Sequence, residues 1–212
     1  MKNPSIAIID YGMGNLRSVQ KGLERVGHAA TVTRDANVIE AATGVVLPGV
    51  GAFGACMENL RSYGLVDTVR RVVDRGTPFL GICLGMQLLF DESDEFGPVR
   101  GLGVFRGRVV RFRDQPGLQV PHMGWNQIRK QQPVPHLEGI DEGAFVYFVH
   151  SYYVVPTDRS LTATSTEYGG EFTSAIYRDN VFATQYHPEK SQKIGLKILE
   201  NFGRIVTSHR PC

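Results

Sequence analysis

The sequence has little cysteine and little tryptophan, three and one among 212 residues, and no apolar run approaches the ~20 residues a bilayer-spanning helix needs. Cys56, Cys83 and Cys212 form an odd set without metal-ligand spacing. They support neither a disulfide framework nor a zinc site, and a reducing cytoplasm is the expected setting. An excess of one charge is missing as well. With 23 Lys+Arg against 21 Asp+Glu the formal charge is +2, too little for the basic field that binding a phosphate backbone demands, so nucleic acid is excluded as a partner. There is no internal repeat and no low-complexity linker. Met1-Lys2-Asn3-Pro4 passes into Ile6-Ala7-Ile8-Ile9 with no signal-peptide apolar region, and no membrane association is expected.

What is present is ordinary for a packed domain: 42% apolar and 21% charged residues, which excludes disorder, collagen and coiled coil. One domain over residues 1–206 is expected, with 207–212 a fraying tail in which Cys212 has no role. Ile6 to Asp10 reads as a buried strand. Leu16, Val19, Leu23 and Val26 then recur at helical spacing, and Gly27 ends that helix. Strands around Ala30–Thr33 and Gly44–Leu47 precede a helical face made by Leu65, Val66, Val69 and Val72, and this alternation implies parallel pairing. Pro78-Phe79-Leu80-Gly81-Ile82 is a further short strand, and a helix is expected to run from Leu84 through Phe90.

From Val104 to Gln185 the texture changes to short β-rich runs, Gly107–Phe112, Phe145–Val155 and Leu161–Thr166, which supply antiparallel strands. Arg178-Asp179-Asn180 reads as a hairpin turn between Phe172–Tyr177 and Val181–Tyr186. Ile194, Ile198, Phe202 and Ile205 mark a final amphipathic helix.

The chemistry concentrates in two motifs. Gly81-Ile82-Cys83-Leu84-Gly85 has the G-x-nucleophile-x-G form of a strand-to-helix elbow, whose glycines let strand and helix cross closely and lift the sulfur above the sheet. The Leu84 amide is then a donor for a developing oxyanion. Alone, such a cysteine is as readily a small buried hydrophobe. A base is supplied by His187-Pro188-Glu189, at the end of an apolar strand. Pro188 biases His187 toward extended backbone, in which residues two apart face the same side, so Glu189 can orient the imidazole. Together the motifs give Cys83 as nucleophile, His187 as base and Glu189 as its orienting carboxylate.

A third element, Pro48-Gly49-Val50-Gly51, follows a strand. An amide of Gly49, Val50 or Gly51 can complete an oxyanion hole, and the glycines make a peptide turn sterically cheap. His28 and His136 read as surface residues beside turns, and His209 lies in the tail. Asp10-Tyr11-Gly12-Met13-Gly14-Asn15 is partly like a dinucleotide fingerprint, but Arg17 stands where the third glycine belongs, and NAD is rejected. Neither a cofactor nor a metal is expected.

The elbow and the distant His-x-Glu pair resemble the class I glutamine amidotransferases, and Gly81-Ile82-Cys83-Leu84-Gly85-Met86-Gln87 is closely similar to that family's elbow. Asp10 to Asn15, Pro48 to Gly51, Pro121-His122-Met123-Gly124-Trp125-Asn126, Tyr147-Phe148-Val149-His150-Ser151-Tyr152 and His187-Pro188-Glu189-Lys190-Ser191 resemble, more narrowly, its histidine-biosynthesis glutaminases. The likeness runs from Ile6 to about Phe202. It implies an α/β, flavodoxin-like three-layer fold with a mixed, mostly parallel central sheet and added antiparallel strands. It also implies hydrolysis of glutamine to glutamate and ammonia, and a heterodimer with a separate (β/α)₈-barrel cyclase that consumes the ammonia. By the same resemblance Gln87, Glu95, Ser151 and Tyr152 bind glutamine, His150 is near the site without a triad role, and Asn15, Trp125, Tyr147 and Lys190 lie at or near the cyclase interface. Rival readings are a paralogous glutaminase feeding a surface-sugar amidotransferase and a stand-alone cysteine peptidase or esterase. The pyridoxal-phosphate glutaminase is disfavoured by Pro48-Gly49-Val50-Gly51, where its loop is rich in glycine, glutamate and serine.

Overall fold

A computed structural model describes residues 5–209; Met1–Pro4 and the tail cysteine Cys212 lie outside them. The chain opens with β1 (Ile6–Ile9), α1 (Leu16–Arg25), β2 (Ala30–Thr33), α2 (Ala36–Ala41) and β3 (Gly44–Gly49). There follow α3 (Phe53–Ser62), α4 (Val66–Asp74), β4 (Phe79–Cys83), α5 (Leu84–Gln87), β5 (Phe90–Ser93), β6 (Val99–Arg100) and β7 (Phe105–Arg111). The later part holds β8 (His122–Gln127), β9 (Arg129–Lys130), β10 (Phe145–His150), β11 (Tyr152–Pro156), β12 (Thr162–Glu167), β13 (Glu171–Arg178), β14 (Val181–Thr184) and α6 (Gln192–Ser208).

The main sheet runs β2-β1-β3-β4-β14-β13-β11-β7-β5-β6. Its first five strands are all parallel, and from β13 onward antiparallel pairing takes over except between β5 and β7. β12 and β9 extend β13 to one side, and β8 and β10 form a separate antiparallel ribbon. The parallel strands read as unbroken apolar runs because both faces are covered. Ala7 and Ile9 of β1 pack with Ile39 of α2, Phe53, Met57 and Leu60 of α3, and Val69 and Val72 of α4. Ile6 and Ile8 point to the other side, with Val19 and Leu23 of α1 and Ile198, Leu199, Phe202 and Val206 of α6. The result is three layers, α/β/α.

Two expectations are corrected. The helix after Cys83 is a single turn, Leu84–Gln87, because Phe90 enters β5 and pairs with Phe105. The β-rich run Phe145–Val155 supplies two antiparallel-paired strands: β10 ends at His150, and β11 begins at Tyr152 in the main sheet. The final helix reaches Ser208, so Thr207 and Ser208 belong to α6. Among the described residues no helix is long and apolar enough to cross a membrane.

His136 is the third correction, since it is buried and not on the surface. Its ring stacks on Phe182 at 4.4 Å and 11°, with both nitrogens buried and unpartnered. Burial pushes this imidazole down to about 3. The unfolded chain therefore takes up a proton there near the ordinary value of about 6.5, and the folded chain does not. The stability this group contributes is present above about pH 6.5 and is lost as pH falls toward 3. His136→Phe keeps the stack and removes two unsatisfied atoms, so it is expected to stabilise by roughly 1–2 kcal/mol. It is also expected to shrink the drop in melting temperature between pH 7 and pH 5. An unchanged drop, measured by thermal denaturation at both pH values, would contradict this.

Candidate active site

Cys83 is the last residue of β4 and stands at φ +54°, ψ −111°, a strained conformation that a bulky residue seldom adopts. Two close approaches enforce it. A Cβ on Gly85 would collide with the Leu47 carbonyl oxygen, and one on Gly81 would come within 2.8 Å of Ala183 Cβ. The elbow thus presses α5 against β3 and β14, and the sulfur is carried into a cavity of about 300 Å³ bounded by Val50, Gly51, Leu84, Gln87, Glu95, Ser151, Tyr152, His187 and Lys190 among others.

Strand β14 pairs in parallel with β4, which brings the segment after it to the same sheet end as Cys83. The side chains of His187 and Glu189 are both buried there, and His187 Nδ1 lies 2.8 Å from Glu189 Oε1. Nε2, on the opposite edge of the ring, has no hydrogen-bond partner and is the atom free for proton transfer. Burial alone pushes His187 down. The Cys83 sulfur and then the Glu189 carboxylate outweigh it, raising the imidazole to about 10. A protonated imidazole beside the Cys83 sulfur is the state of the ring that this electrostatic balance favours.

Gly49 pairs with Cys83 across β3 and β4, so the loop Gly49–Gly51 borders the sulfur. The two glycines serve different ends. Gly51 adopts φ +96°, whereas Gly49 is needed for space: a Cβ there would stand 2.8 Å from the Gly85 amide nitrogen. Tyr11 Oη donates to the Pro48 carbonyl at 2.8 Å, and the Cys56 thiol to the Val50 carbonyl at 3.5 Å. These hold the carbonyls on either side of the Gly49–Val50 peptide. Burial pushes Cys56 up to about 11.

Glu95 Oε2 accepts from the Phe53 amide at 2.6 Å, capping the first turn of α3. Gln87 Nε2 donates to the Tyr152 carbonyl and to Gln185 Oε1, each at 2.9 Å. His150 also borders the cavity and hydrogen-bonds to His122. Away from the sulfur, Trp125 and Tyr147 face one another across β8 and β10, with ring centroids 6.1 Å apart. Lys190 Nζ lies 5.9 Å over the Tyr147 ring, and Met123 and Phe145 of the same ribbon are more than half exposed. Asn15 precedes α1 without capping it through its side chain.

Sequence reasoning missed Gln185, Tyr11 and Cys56. Gln185 was within reach: a polar residue closing an apolar strand two positions before His187 falls on the same side as the base. Tyr11 and Cys56 meet the loop only through long-range packing, and no local spacing marks them. Among the described residues no group of three or more His, Cys, Asp or Glu could hold a metal ion.

A thiol on a strained strand-to-helix elbow, a His-x-Glu pair at the same sheet end and a three-layer α/β fold define a glutamine amidotransferase of class I, and the family model for glutamine amidotransferase class-I matches residues 7–206. The solved structure of PurLQS from Thermotoga maritima has the same fold, with a TM-score of 0.73 at 18% identity over 95% of this chain and 98% of that one. Two relatives are far nearer in sequence. Imidazole glycerol phosphate synthase subunit HisH of Syntrophotalea carbinolica is 59% identical over 206 residues, 93% of this chain and 98% of that protein. The subunit of the same name from Geobacter sulfurreducens is 56% identical over 205 residues, 94% of this chain and 98% of that protein. The chain belongs to the HisH family of class I glutamine amidotransferases.

Proposed function

We propose that this chain is the glutaminase subunit of an imidazole glycerol phosphate synthase, hydrolysing glutamine through Cys83, His187 and Glu189 and delivering the ammonia to a (β/α)₈-barrel cyclase. The observation that carries the reading is Cys83 and His187 on one cavity, with the buried Glu189 carboxylate 2.8 Å behind the imidazole and the imidazole raised to about 10.

The sulfur, its proton taken by His187, attacks the side-chain carboxamide carbon, and the C=O electron pair moves to oxygen. The Leu84 amide and an amide of the Gly49–Gly51 loop receive that oxyanion. His187 gives its proton to the departing nitrogen, the C–N bond breaks, and ammonia leaves a glutamyl thioester. Water, deprotonated by His187, adds to the thioester carbon; the C–S bond then breaks, and glutamate is released. Glu189 keeps the imidazole in the tautomer and orientation that both transfers need. The free oxygen of Glu95 suits the substrate ammonium, with Ser151, Tyr152 and Gln87 lining the rest of the pocket. The Trp125–Tyr147–Lys190 cluster, in which Tyr147 is half-buried, is with Asn15 the cyclase-facing surface in this reading, because the exposed Met123, Trp125 and Phe145 of the same ribbon suit a protein partner.

Partner control is placed at the Gly49–Val50 peptide. Its neighbours are tied by Tyr11 and Cys56, so this plane can turn without dragging the strand. One mis-aimed oxyanion donor costs roughly 100- to 1000-fold in rate. Glutamate release is therefore expected to be slow for the chain alone, and faster by about that factor when the cyclase carries its ribotide substrate. Equal turnover for chain alone, chain with empty cyclase and chain with loaded cyclase would refute the gating.

A further inference from the structure

We infer that Gln185 is a further catalytic residue, whose side-chain amide holds the Cys83 sulfur by an N–H···S bond and receives it as the leaving group when the thioester is cleaved. The inference rests on the proposed role of Cys83 as nucleophile. Gln185 is fully buried, and its Nε2 lies 3.6 Å from Cys83 Sγ.

Which end of a carboxamide faces the sulfur decides the chemistry, because oxygen would repel an anion and N–H would hold it. Here the orientation is fixed from outside. The Tyr152 main-chain oxygen can only accept, so Gln87 must turn Nε2 toward it. The second hydrogen of that same NH2 goes to Gln185, which must therefore present Oε1. The NH2 of Gln185 is left facing Cys83.

The anchor at Tyr152 is itself braced. His150 Nδ1 lies 2.8 Å from the same carbonyl oxygen and must donate to it. His150 Nε2 then accepts from His122 Nδ1 at 3.0 Å, and His122 Nε2 accepts from the Asn126 amide at 3.2 Å. Burial keeps both imidazoles neutral, pushing them down to about 3 and about 4. Every link from Asn126 to the sulfur thus has a single allowed direction.

In acylation the bond fixes the attacking sulfur. In deacylation, water adds to the thioester carbon as its proton passes to His187. The tetrahedral intermediate collapses by breaking C–S, the electron pair goes to sulfur, and the Gln185 N–H meets the charge as it forms.

The test uses the chain assembled with its cyclase, comparing wild type with Gln185→Met, which keeps length and loses the donor, and Gln185→Glu, which keeps shape and presents oxygen to the sulfur. In both variants kcat for glutamate release is expected to fall about 10- to 100-fold, the range for one hydrogen bond to a charged group. KM is expected to stay within about twofold, because the bond is to the nucleophile and not to substrate. Ammonium-driven synthesis should be unchanged, which reports an intact complex. Variants with wild-type kcat, or with a raised KM alone, would overturn the inference. A variant-free measurement stands beside these: the Gln185 side-chain amide resonance of the unaltered chain should shift when Cys83 is alkylated, and an unmoved resonance would also overturn it. If Cys83→Ala still hydrolyses glutamine, the nucleophile reading fails and Gln185 falls with it. If Cys83→Ala is inactive and the Gln185 variants are not impaired, Gln185 alone is wrong.

Discussion

Cys83→Ala is expected to remove glutamine-dependent synthesis by the assembled complex, with a loss of about 1000-fold or more, while synthesis from added ammonium salt continues at the wild-type rate. A nucleophile that forms a covalent intermediate has no substitute among its neighbours, and losing the nucleophile of a coupled triad costs about as much as losing all three members. Alanine keeps the Cβ that cysteine already has at this position, so the close approaches at Gly81 and Gly85 are preserved. Side-by-side assays with glutamine and with ammonium give the readout. Loss of both activities would contradict the division of labour between a glutaminase and an ammonia-consuming partner.

The second large effect concerns the order of the other two members. His187→Asn is expected to lower kcat by about 100- to 10,000-fold, since it removes the group that, in the proposed mechanism, carries the proton in both half-reactions. Glu189→Gln keeps the shape and weakens the 2.8 Å contact with Nδ1, for a smaller loss of about 10- to 100-fold. Steady-state glutaminase assays of the two variants decide it, and the reverse order would force a new assignment of base and orienter.

How much of this was legible in sequence depends on how local each feature is. The parallel strands were readable because a strand buried on both faces is a continuous apolar run, as in Ile6–Ile9 and Phe79–Cys83. The Asp179 turn and the amphipathic face of α6 were readable for the same reason, that their signals lie within a few residues. Helix α2 has six residues and one buried side chain, Ile39, so it offers no repeat to detect. Leu84–Phe90 has helical composition, yet Phe90 gains a strand partner in Phe105, and tertiary pairing overrode propensity. His136 looked like a turn histidine because stacking on Phe182 joins elements far apart in sequence.

The candidate site divides along the same line. His187 and Glu189 are two residues apart and the elbow is five residues long, so their geometry follows from local backbone. Gln185 to Cys83 spans 102 positions, and Tyr11 to Pro48 spans 37. Periodicity can say which side of a strand such residues occupy, but only the strand order says what they meet there.

The most direct test of the central claim, that Cys83 is the nucleophile of a glutamine-hydrolysing triad, is to map by mass spectrometry where an electrophilic glutamine analogue attaches. In the proposed mechanism Cys83 has a base and oxyanion donors beside it, whereas Cys56 is buried, raised to about 11 and engaged with the Val50 carbonyl. The result expected is one adduct per chain, on Cys83, with glutaminase activity lost in step with its formation. An adduct found mainly on Cys56, or full activity after complete modification of Cys83, would contradict the claim.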